Sequence, residues 1–346
     1  MEPSTTTDLI SKLRRIYGRT GPPESTELQE EILAAVQVLD SEAEEIRPRD
    51  REDRPGGLLY LDPEIPTVVV PDLHARMELV LAVLSSKDEQ GVAAVDRLAA
   101  GRLQLLCLGD GFHAEGRAAV RWQAALEEFK GGYRKHIHMD EEMRESLGVM
   151  EMVMALKRQF PNHFHFLKGN HENIANEQGG GNYPFLKFAN EGLMVRIYME
   201  HFYGEEILNS YAEFEKSFPI LAVGGNFLAS HAEPAWFIPK HELIEYRRLP
   251  QVVYGLTWTD NGEAEPGSVQ QMLEHYLGPE AAMAAYHFGG HRPVHGSYNL
   301  RSDERYVQIH DPDRYVVAVL PAGGQIDLDR DIRELDREAF RELIDE

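Results

Sequence analysis

FHFLKGNHEN, residues 164–173, joins two kinds of chain within ten positions. Phe164 to Leu167 is aromatic and aliphatic, the pattern of a strand buried on both faces. At Gly169 the character changes, and Asn170, His171, Glu172 and Asn173 follow at once, two of them able to ligate metal. A core strand that ends in four polar side chains predicts a site at its carboxyl end.

The same junction recurs along the chain. VVVPDLH (68–74) delivers Asp72 and His74, LLCLGD (105–110) delivers Asp110, and FLASH (227–231) delivers His231. A fifth junction, FGGH (288–291), delivers His291. Between the apolar runs lie helical patterns: MELVLAVLSS (77–86), RAAVRWQAALEEF (117–129) and MEMVMALKRQF (150–160). Strand–helix alternation predicts an α/β core. In such sheets ligands bind just outside the carboxyl ends of the strands, so five junctions converge on one edge.

Each polar group has an ordinary structural role when taken singly. His74 or His231 could be a satisfied histidine at a strand end, and Asp110 a helix N-cap. Capping does not account for all five junctions, three of which place glycine immediately before the polar residue. Glycine there lets the backbone turn sharply and approach closely. Two aspartates, three histidines and an asparagine carbonyl, with no thiolate, favour Mn, Fe or Zn. Six donors are too many for one catalytic ion that keeps open positions. They suit two ions about 3.5–4 Å apart, bridged by one carboxylate.

Composition sets the outer bounds. The 346-residue chain is 42% hydrophobic, enough for a sizeable core, and carries a formal charge of −23. That charge repels nucleic-acid phosphates and anionic membranes, so neither is an expected partner. The one cysteine, Cys107, excludes a disulfide framework and a thiolate zinc site, and reads as a small buried hydrophobe. No apolar run approaches the ~18 residues a membrane helix needs, and the N-terminus shows no secretory apolar region, so a soluble cytoplasmic protein is expected.

The expected organisation has three parts. Residues 1–57 form a helical extension and linker. Within it Thr26 and Gln29 suggest a capping box, and Leu28, Ile32, Leu33, Val36 and Leu39 make one apolar face that packs on the main domain. Residues 58–326 form the main domain, and 327–346 an acidic C-terminal helix. RYVQIH (305–310) and RYVVAVLP (314–321) read as a hairpin, with His310 in an ordinary Asp-Pro-Asp turn. The 59 residues between Asp110 and Asn170 suggest an insertion overhanging the site. Met150, Met152 and Met154 read as packing, and the histidines of KHIHM and NHFHF as exposed or core-edge positions.

PDLHAR, GDGFHAEGR, GNHEN, SHAEP and FGGHRPVHG resemble, in order, the signature blocks of calcineurin-like metallophosphoesterases. YAEFEKSFPILAVGGNFLASHAEP followed by GLTWTDN (255–261) resembles the phosphoprotein phosphatase (PPP) branch. The resemblance covers roughly residues 66–320 and implies a layered β-sandwich flanked by helices, with a dinuclear metal site at the carboxyl ends of the strands. It implies that Asp72 and His74 hold one metal, that Asp110 bridges both, and that Asn170, His231 and His291 hold the other. It further implies a metal-bridging hydroxide as nucleophile and His171 as general acid.

The departures from that pattern are specific. The acid that orients the catalytic histidine is replaced by His113, with Glu115 the candidate substitute. The adjacent arginine is replaced by Ala114, leaving Arg117 as the nearest substrate-binding candidate. Residues 249–291 contain no arginine or lysine for a second phosphate contact. Glu233 brings bulk and negative charge near the pocket, and His295 lies four residues past His291, where the superfamily has GH-x-H. The expected activity is dimetal phosphomonoester hydrolysis, on a phosphorylated protein serine or threonine ahead of a small-molecule phosphate ester. The alternatives are hydrolysis of nucleotide or dinucleoside polyphosphates, and a scaffold that binds metal and a phosphorylated partner without turnover. Oligomeric state is left open.

Overall fold

The apolar runs fold as short strands with both faces covered. The computed structural model describes residues 5–345; the first four residues of the N-terminal segment and Glu346 lie outside them. The strands are β1 (Leu58–Tyr60), β2 (Thr67–Val70), β3 (Gln104–Cys107), β4 (Phe164–Phe166), β5 (Leu221–Val223) and β6 (Phe227–Ala229). They continue with β7 (Tyr286–Gly289), β8 (Asn299–Arg301), β9 (Tyr306–Gln308), β10 (Val316–Leu320) and β11 (Ile332–Glu334). Two sheets result, a five-stranded one in the order β11-β10-β2-β3-β4 and a six-stranded one in the order β1-β5-β6-β7-β9-β8.

Strand direction positions the site. β2, β3 and β4 run parallel, with Val69 opposite Leu106 and Leu106 opposite His165. In the other sheet β6, β7 and β9 run parallel, with Ala229 opposite Phe288 and Gly289 opposite Gln308. Parallel neighbours end at the same rim, so each sheet presents three carboxyl ends side by side.

The alternation along each strand builds four layers. Val69, Leu106 and Leu108 meet Ala229, Phe288, Val307 and Ile309 between the sheets. Val68, Val70, Leu105 and Cys107 point the other way, into a helical layer. That layer contains α1 (Thr6–Gly18), α2 (Ser25–Asp40), α3 (Met77–Ser85), α4 (Ala94–Ala99), α5 (Ala119–Lys130), α6 (Ile137–Gln159), α7 (Glu191–Phe202) and α8 (Gly204–Lys216). Outside the six-stranded sheet, α9 (Lys240–Ile244), α10 (Pro250–Thr257) and α11 (Ser268–Leu277) cover Leu58, Leu221 and Leu228. Each fully buried Leu or Val contributes about 1.5–3 kcal/mol.

Several sequence expectations need correction. The helix from Ser25 to Asp40 begins after Glu24 with no side-chain cap, so Thr26 and Gln29 form no capping box. On that helix Leu28, Ile32 and Leu39 are buried but Leu33 is 55% exposed, with Ala35 completing the buried face. Most of residues 110–170 do not overhang the site: α6 is a core helix packed against α1, α2, α3 and α5, with Met150, Met152 and Met154 fully buried, and only Glu115–Arg117 border the cleft beside His74. The acidic end is not one helix but two four-residue turns, Leu328–Asp331 and Arg341–Ile344, around a strand that joins β10. The 305–321 hairpin is absent as well, because β9 and β10 belong to different sheets. The turn at 310–315 crosses between them at the rim where the parallel strands end.

A buried ion network anchors the segment before β1. Arg47 is fully buried; it donates to Glu42 Oε2 at 2.9 Å and to the Ser217 carbonyl at 3.0 Å. Lys157 of α6 lies 2.5 Å from Glu42 Oε1 and also donates to the Phe164 carbonyl. Burial opposes charge on Glu42, but Lys157 and Arg47 outweigh it and bring its pKa down from 4.5 to about 2. A depressed carboxyl contributes stability above its unfolded value, lost as pH falls from about 4.5 toward 2. The gross term is about 3 kcal/mol, partly offset because burial lowers the pKa of Lys157. Glu42→Gln is expected to cost about 3–5 kcal/mol, since it strands two buried cations. Urea titration at pH 7 and pH 3 checks this: the variant's deficit should shrink at pH 3.

Candidate metal centre

The loops after the strands are held together by backbone bonds that extend the ladder past the strand ends. Leu73, His74 and Ala75 donate to the carbonyls of Gly109, Asp110 and Gly111, the second bond at 2.7 Å. His74, Asp110, His113 and His291 all adopt positive φ, between 42° and 66°. A non-glycine residue there costs about 1–3 kcal/mol and persists only where surroundings impose it. Gly109, at φ 111°, would overlap the Gly169 backbone if it carried a Cβ, so the exits of β3 and β4 meet only through glycine.

Glu172 is the clamp that imposes this geometry. Its buried carboxylate accepts backbone N–H bonds from Gly169 at 2.6 Å, Gly111 at 2.8 Å and Asp110 at 2.9 Å. Two loops are thereby tied to one side chain. Sequence reasoning noticed Glu172 as a polar residue and gave it no role.

Around these loops two sets of donors face each other across Asp110. On one side His74 Nε2 lies 3.8 Å from Asp72 Oδ2 and 3.7 Å from Asp110 Oδ2. On the other, His231 Nε2 lies 3.4 Å from Asp110 Oδ2. Asn170 Oδ1 is 2.9 Å from both His231 Nε2 and His291 Nδ1. Asp72 is tied to the far side by the His291 N–H, which donates to Oδ2 at 2.9 Å. A Cβ at Gly290 would overlap Asp72 Oδ1, so glycine alone lets the β7 exit come this close.

The histidine tautomers suit metal. His231 Nδ1 faces the Leu108 carbonyl at 3.0 Å and His74 Nδ1 faces that of His113 at 3.1 Å. Each Nδ1–H donates there, which leaves the Nε2 lone pairs turned inward. Burial first, and the His291 and His74 rings next, push the pKa of His231 well below its usual value; burial takes His74 down to about 4. Burial also raises Asp72 to about 6 and, with Asp72 beside it, Asp110 well above the usual carboxylate range. Neutral imidazoles around two carboxylates whose charge is unbalanced form a cavity matched to cations. Asp72 Oδ1 is buried without a hydrogen-bond partner among the described residues, as a metal-facing oxygen would be. The donor set fits two divalent ions.

Five of the six ligand candidates come from five strand ends, and the sixth, His74, from the first of those loops; all are brought together. His171 joins them with Nε2 3.7 Å from Asp110 Oδ2. Its Nδ1 is 2.9 Å from His113 Nδ1, so His113 itself takes the position of the missing acid. Glu115 does not: its Oε2 lies 3.0 Å from His310 Nε2 and 3.7 Å from His74 Nε2. Burial opposes its charge, yet His74 and the His310 bond hold Glu115 below the usual carboxylate range. Phe185, from the loop after β4, covers His171 with ring centroids 3.8 Å apart.

The cationic groups stand further out. Arg117 lines a cleft of about 220 Å³ with His74, Glu115 and Lys187, but its guanidinium is engaged by Glu145 at 2.8 Å and the Ala75 carbonyl. Arg292, one position beyond the arginine-free stretch, forks onto Asp260 at 2.8 and 2.7 Å. Its place directly after His291 was the overlooked signal. Glu233 turns away from the centre to pair with Arg301 and Ser302. His295 is exposed and belongs to none of the donor clusters among the described residues. His310 was read as turn chemistry, yet it groups with Asp72 and His74. It too follows an apolar run, YVQI, and the rule applied to the other junctions would have found it. A larger cavity, about 780 Å³, lies at the opposite rim between Tyr60, Gln104 and Tyr276 and contains none of these residues.

The profile of calcineurin-like phosphoesterases matches residues 65–319. The chain belongs to the calcineurin-like phosphoesterase family. Its two-sheet fold with the buried His/Asp cluster is that family's fold. Among solved structures it is similar to a protein serine/threonine phosphatase from Saccharomyces cerevisiae, described as similar to human phosphatase PP5. The TM-score is 0.53 at 16% identity, over 91% of this chain and 90% of that one. A cold-active protein tyrosine phosphatase gives TM-score 0.43 at 12% identity, over 86% and 85% of the two chains. The cold-active protein-tyrosine phosphatase of a psychrophile, Shewanella sp., gives 0.42 at 12%, over 81% and 82%. At 16% identity the likeness to the yeast phosphatase is one of fold. No curated protein sequence matches.

Because Glu172 holds two loops of this phosphoesterase centre, Glu172→Gln is expected to damage it from behind. A glutamine must turn one N–H₂ toward backbone N–H groups that need acceptors, at about 1–3 kcal/mol for each bond lost. The expected result is a lower melting temperature and weaker metal retention, read by differential scanning calorimetry and metal analysis.

Proposed function

We propose that this phosphoesterase hydrolyses phosphomonoesters at a dinuclear metal centre, with a phosphorylated serine or threonine side chain of a protein as the preferred substrate. One observation carries the reading: a single carboxylate oxygen, Asp110 Oδ2, lies 3.7 Å from His74 Nε2 and 3.4 Å from His231 Nε2, between the two buried donor sets. In this reading Asp72, His74 and Asp110 hold one ion, and Asp110, Asn170, His231 and His291 the other. Mn, Fe and Zn suit these oxygen and nitrogen donors. When bound, two such cations supply charge to the phosphoryl oxygens and acidify the attacking water.

The chain's own residues do the rest. His171 delivers a proton to the leaving oxygen from Nε2, the nitrogen on the metal side, while His113 holds Nδ1. Arg117 and Lys187 stand at the mouth of the cleft, paired with Glu145 and Glu115, and in this reading exchange those carboxylates for the phosphate. The preference for phosphoprotein rests on the resemblance of residues 211–234 and 255–261 to the PPP branch. The contact of His113 Nδ1 with His171 Nδ1 at 2.9 Å supports turnover over a non-catalytic scaffold, since it gives the catalytic candidate an orienting partner. We read residues 58–326 as the phosphoesterase domain. The helices before it pack through Leu9, Leu13, Leu28 and Ile32 into the layer over the five-stranded sheet. No helix among the described residues is long and apolar enough to cross a membrane; the cytoplasm is the proposed compartment.

Asp110→Ala is expected to remove both ions and reduce p-nitrophenyl phosphate hydrolysis at least ~10⁴-fold; two ions retained by metal analysis would show that Asp110 bridges nothing. His171→Asn should keep both ions and slow alkyl phosphates about 10²–10⁴-fold, with a smaller loss on nitrophenyl phosphate, whose leaving group needs no proton. A panel of phosphopeptides, nucleotides and dinucleoside polyphosphates with manganese present tests the substrate class, and faster turnover of nucleotides would replace the phosphoprotein reading.

A further inference from the structure

One ring nitrogen at the centre is fully buried and has no hydrogen-bond partner. His310 lies two residues past β9, and the Val294 N–H donates to its carbonyl at 2.8 Å. The side chain is 0% exposed. Its Nε2 is 3.0 Å from Glu115 Oε2, and a carboxylate only accepts, so Nε2 carries the proton. Nδ1 therefore has a lone pair, and it is aimed at Asp72 Oδ2, 3.9 Å away. Two acceptors face each other with no proton to share.

Building on the dimetal reading, we propose that His310 Nδ1 is a ligand of the ion held by Asp72, His74 and Asp110, with Glu115 fixing its tautomer. An orphaned ring nitrogen costs about 1–3 kcal/mol; His113, His287 and His291 also carry one among the described residues, and what singles out His310 Nδ1 is its place in one cluster with Asp72 and His74. The separations are those of co-ligands. With metal–ligand bonds of about 2.0–2.2 Å, two ligand atoms on one ion lie ~3–4 Å apart. His310 Nδ1, His74 Nε2 and the Asp72 carboxylate all fall within 4.8 Å of one another, and the two imidazole rings stand 5.3 Å apart. The Glu115–His310 pair has the form of a carboxylate–histidine–metal arrangement, in which the carboxylate orients the ring and raises its basicity.

The consequence is chemical. With His310 the first ion has two carboxylates and two imidazoles, matching the four protein ligands of the second. That nitrogen-rich set shifts selectivity away from magnesium toward zinc or iron. Glu115 is the rival ligand, since its Oε2 also lies 3.7 Å from His74 Nε2.

Metal content after dialysis against graded chelator decides between them without reference to activity. Wild type is expected to retain two ions per chain. His310→Ala is expected to retain one tightly and to bind the other at least about 10–100-fold more weakly. Two ions at wild-type affinity in this variant would overturn the proposal in favour of Glu115. His310→Cys, loaded with cobalt, gives a positive readout even if the alanine variant folds poorly. A thiolate at position 310 should produce a thiolate-to-cobalt charge-transfer band in the near ultraviolet. Wild type is the blank, since Cys107 is buried in the helix-facing core with its thiol pushed up to about 12. A folded His310→Cys cobalt form without the band also overturns the proposal. Failure of wild type to bind any ion is a different result: it removes the dimetal reading itself and this inference with it.

Discussion

Two carboxylates, Asp72 and Asp110, are buried at the rim of the fold without an ion pair to any lysine or arginine among the described residues. Burying charge in that way is among the most costly things a chain can do, and proteins tolerate it where a cation or a reaction requires it. The surrounding groups follow from the same constraint. His74, His231 and His291 are held neutral by burial, His74 and His231 turn their Nε2 lone pairs inward, and Glu172 directs its charge to three backbone N–H groups rather than to a side chain. The centre is an electrostatic deficit of positive charge, stabilised mechanically from behind.

Parallel strand pairing makes such a rim possible. Each sheet contributes three adjacent parallel strands, and the ligand candidates sit two to four residues past the strand ends. The cost is local strain: His74, Asp110, His113 and His291 hold left-handed backbone conformations that the loop hydrogen bonds impose. The layers on either side supply the stability that offsets it, and the buried Glu42–Arg47–Lys157 network joins the N-terminal segment to that scaffold.

The departures from the family pattern are compensated in space rather than in sequence. His113 stands against His171 where an acid was expected, Arg292 pairs with Asp260 where the intervening stretch holds no cation, and Glu115 serves His310. Glu233, whose charge looked like an obstacle, is neutralised by Arg301 away from the centre. These side-chain directions could not be derived from spacing, because a residue at the end of a strand can turn to either side once the ladder stops.

Short apolar runs ending in glycine and a polar residue pointed to the α/β core and to six candidate side chains, Asp72, His74, Asp110, Asn170, His231 and His291, which the fold brings together at one rim. That signal is local: burial on both faces and a polar break are written in consecutive residues. Strand pairing between distant segments is not. The separation of β9 from β10 into different sheets turned an apparent hairpin into a crossing over the centre, and so carried His310 to Asp72. Partners of His171 and Glu115 were likewise settled only by tertiary packing, since a hydrogen bond depends on angles and distances of a few tenths of an ångström that no linear spacing records.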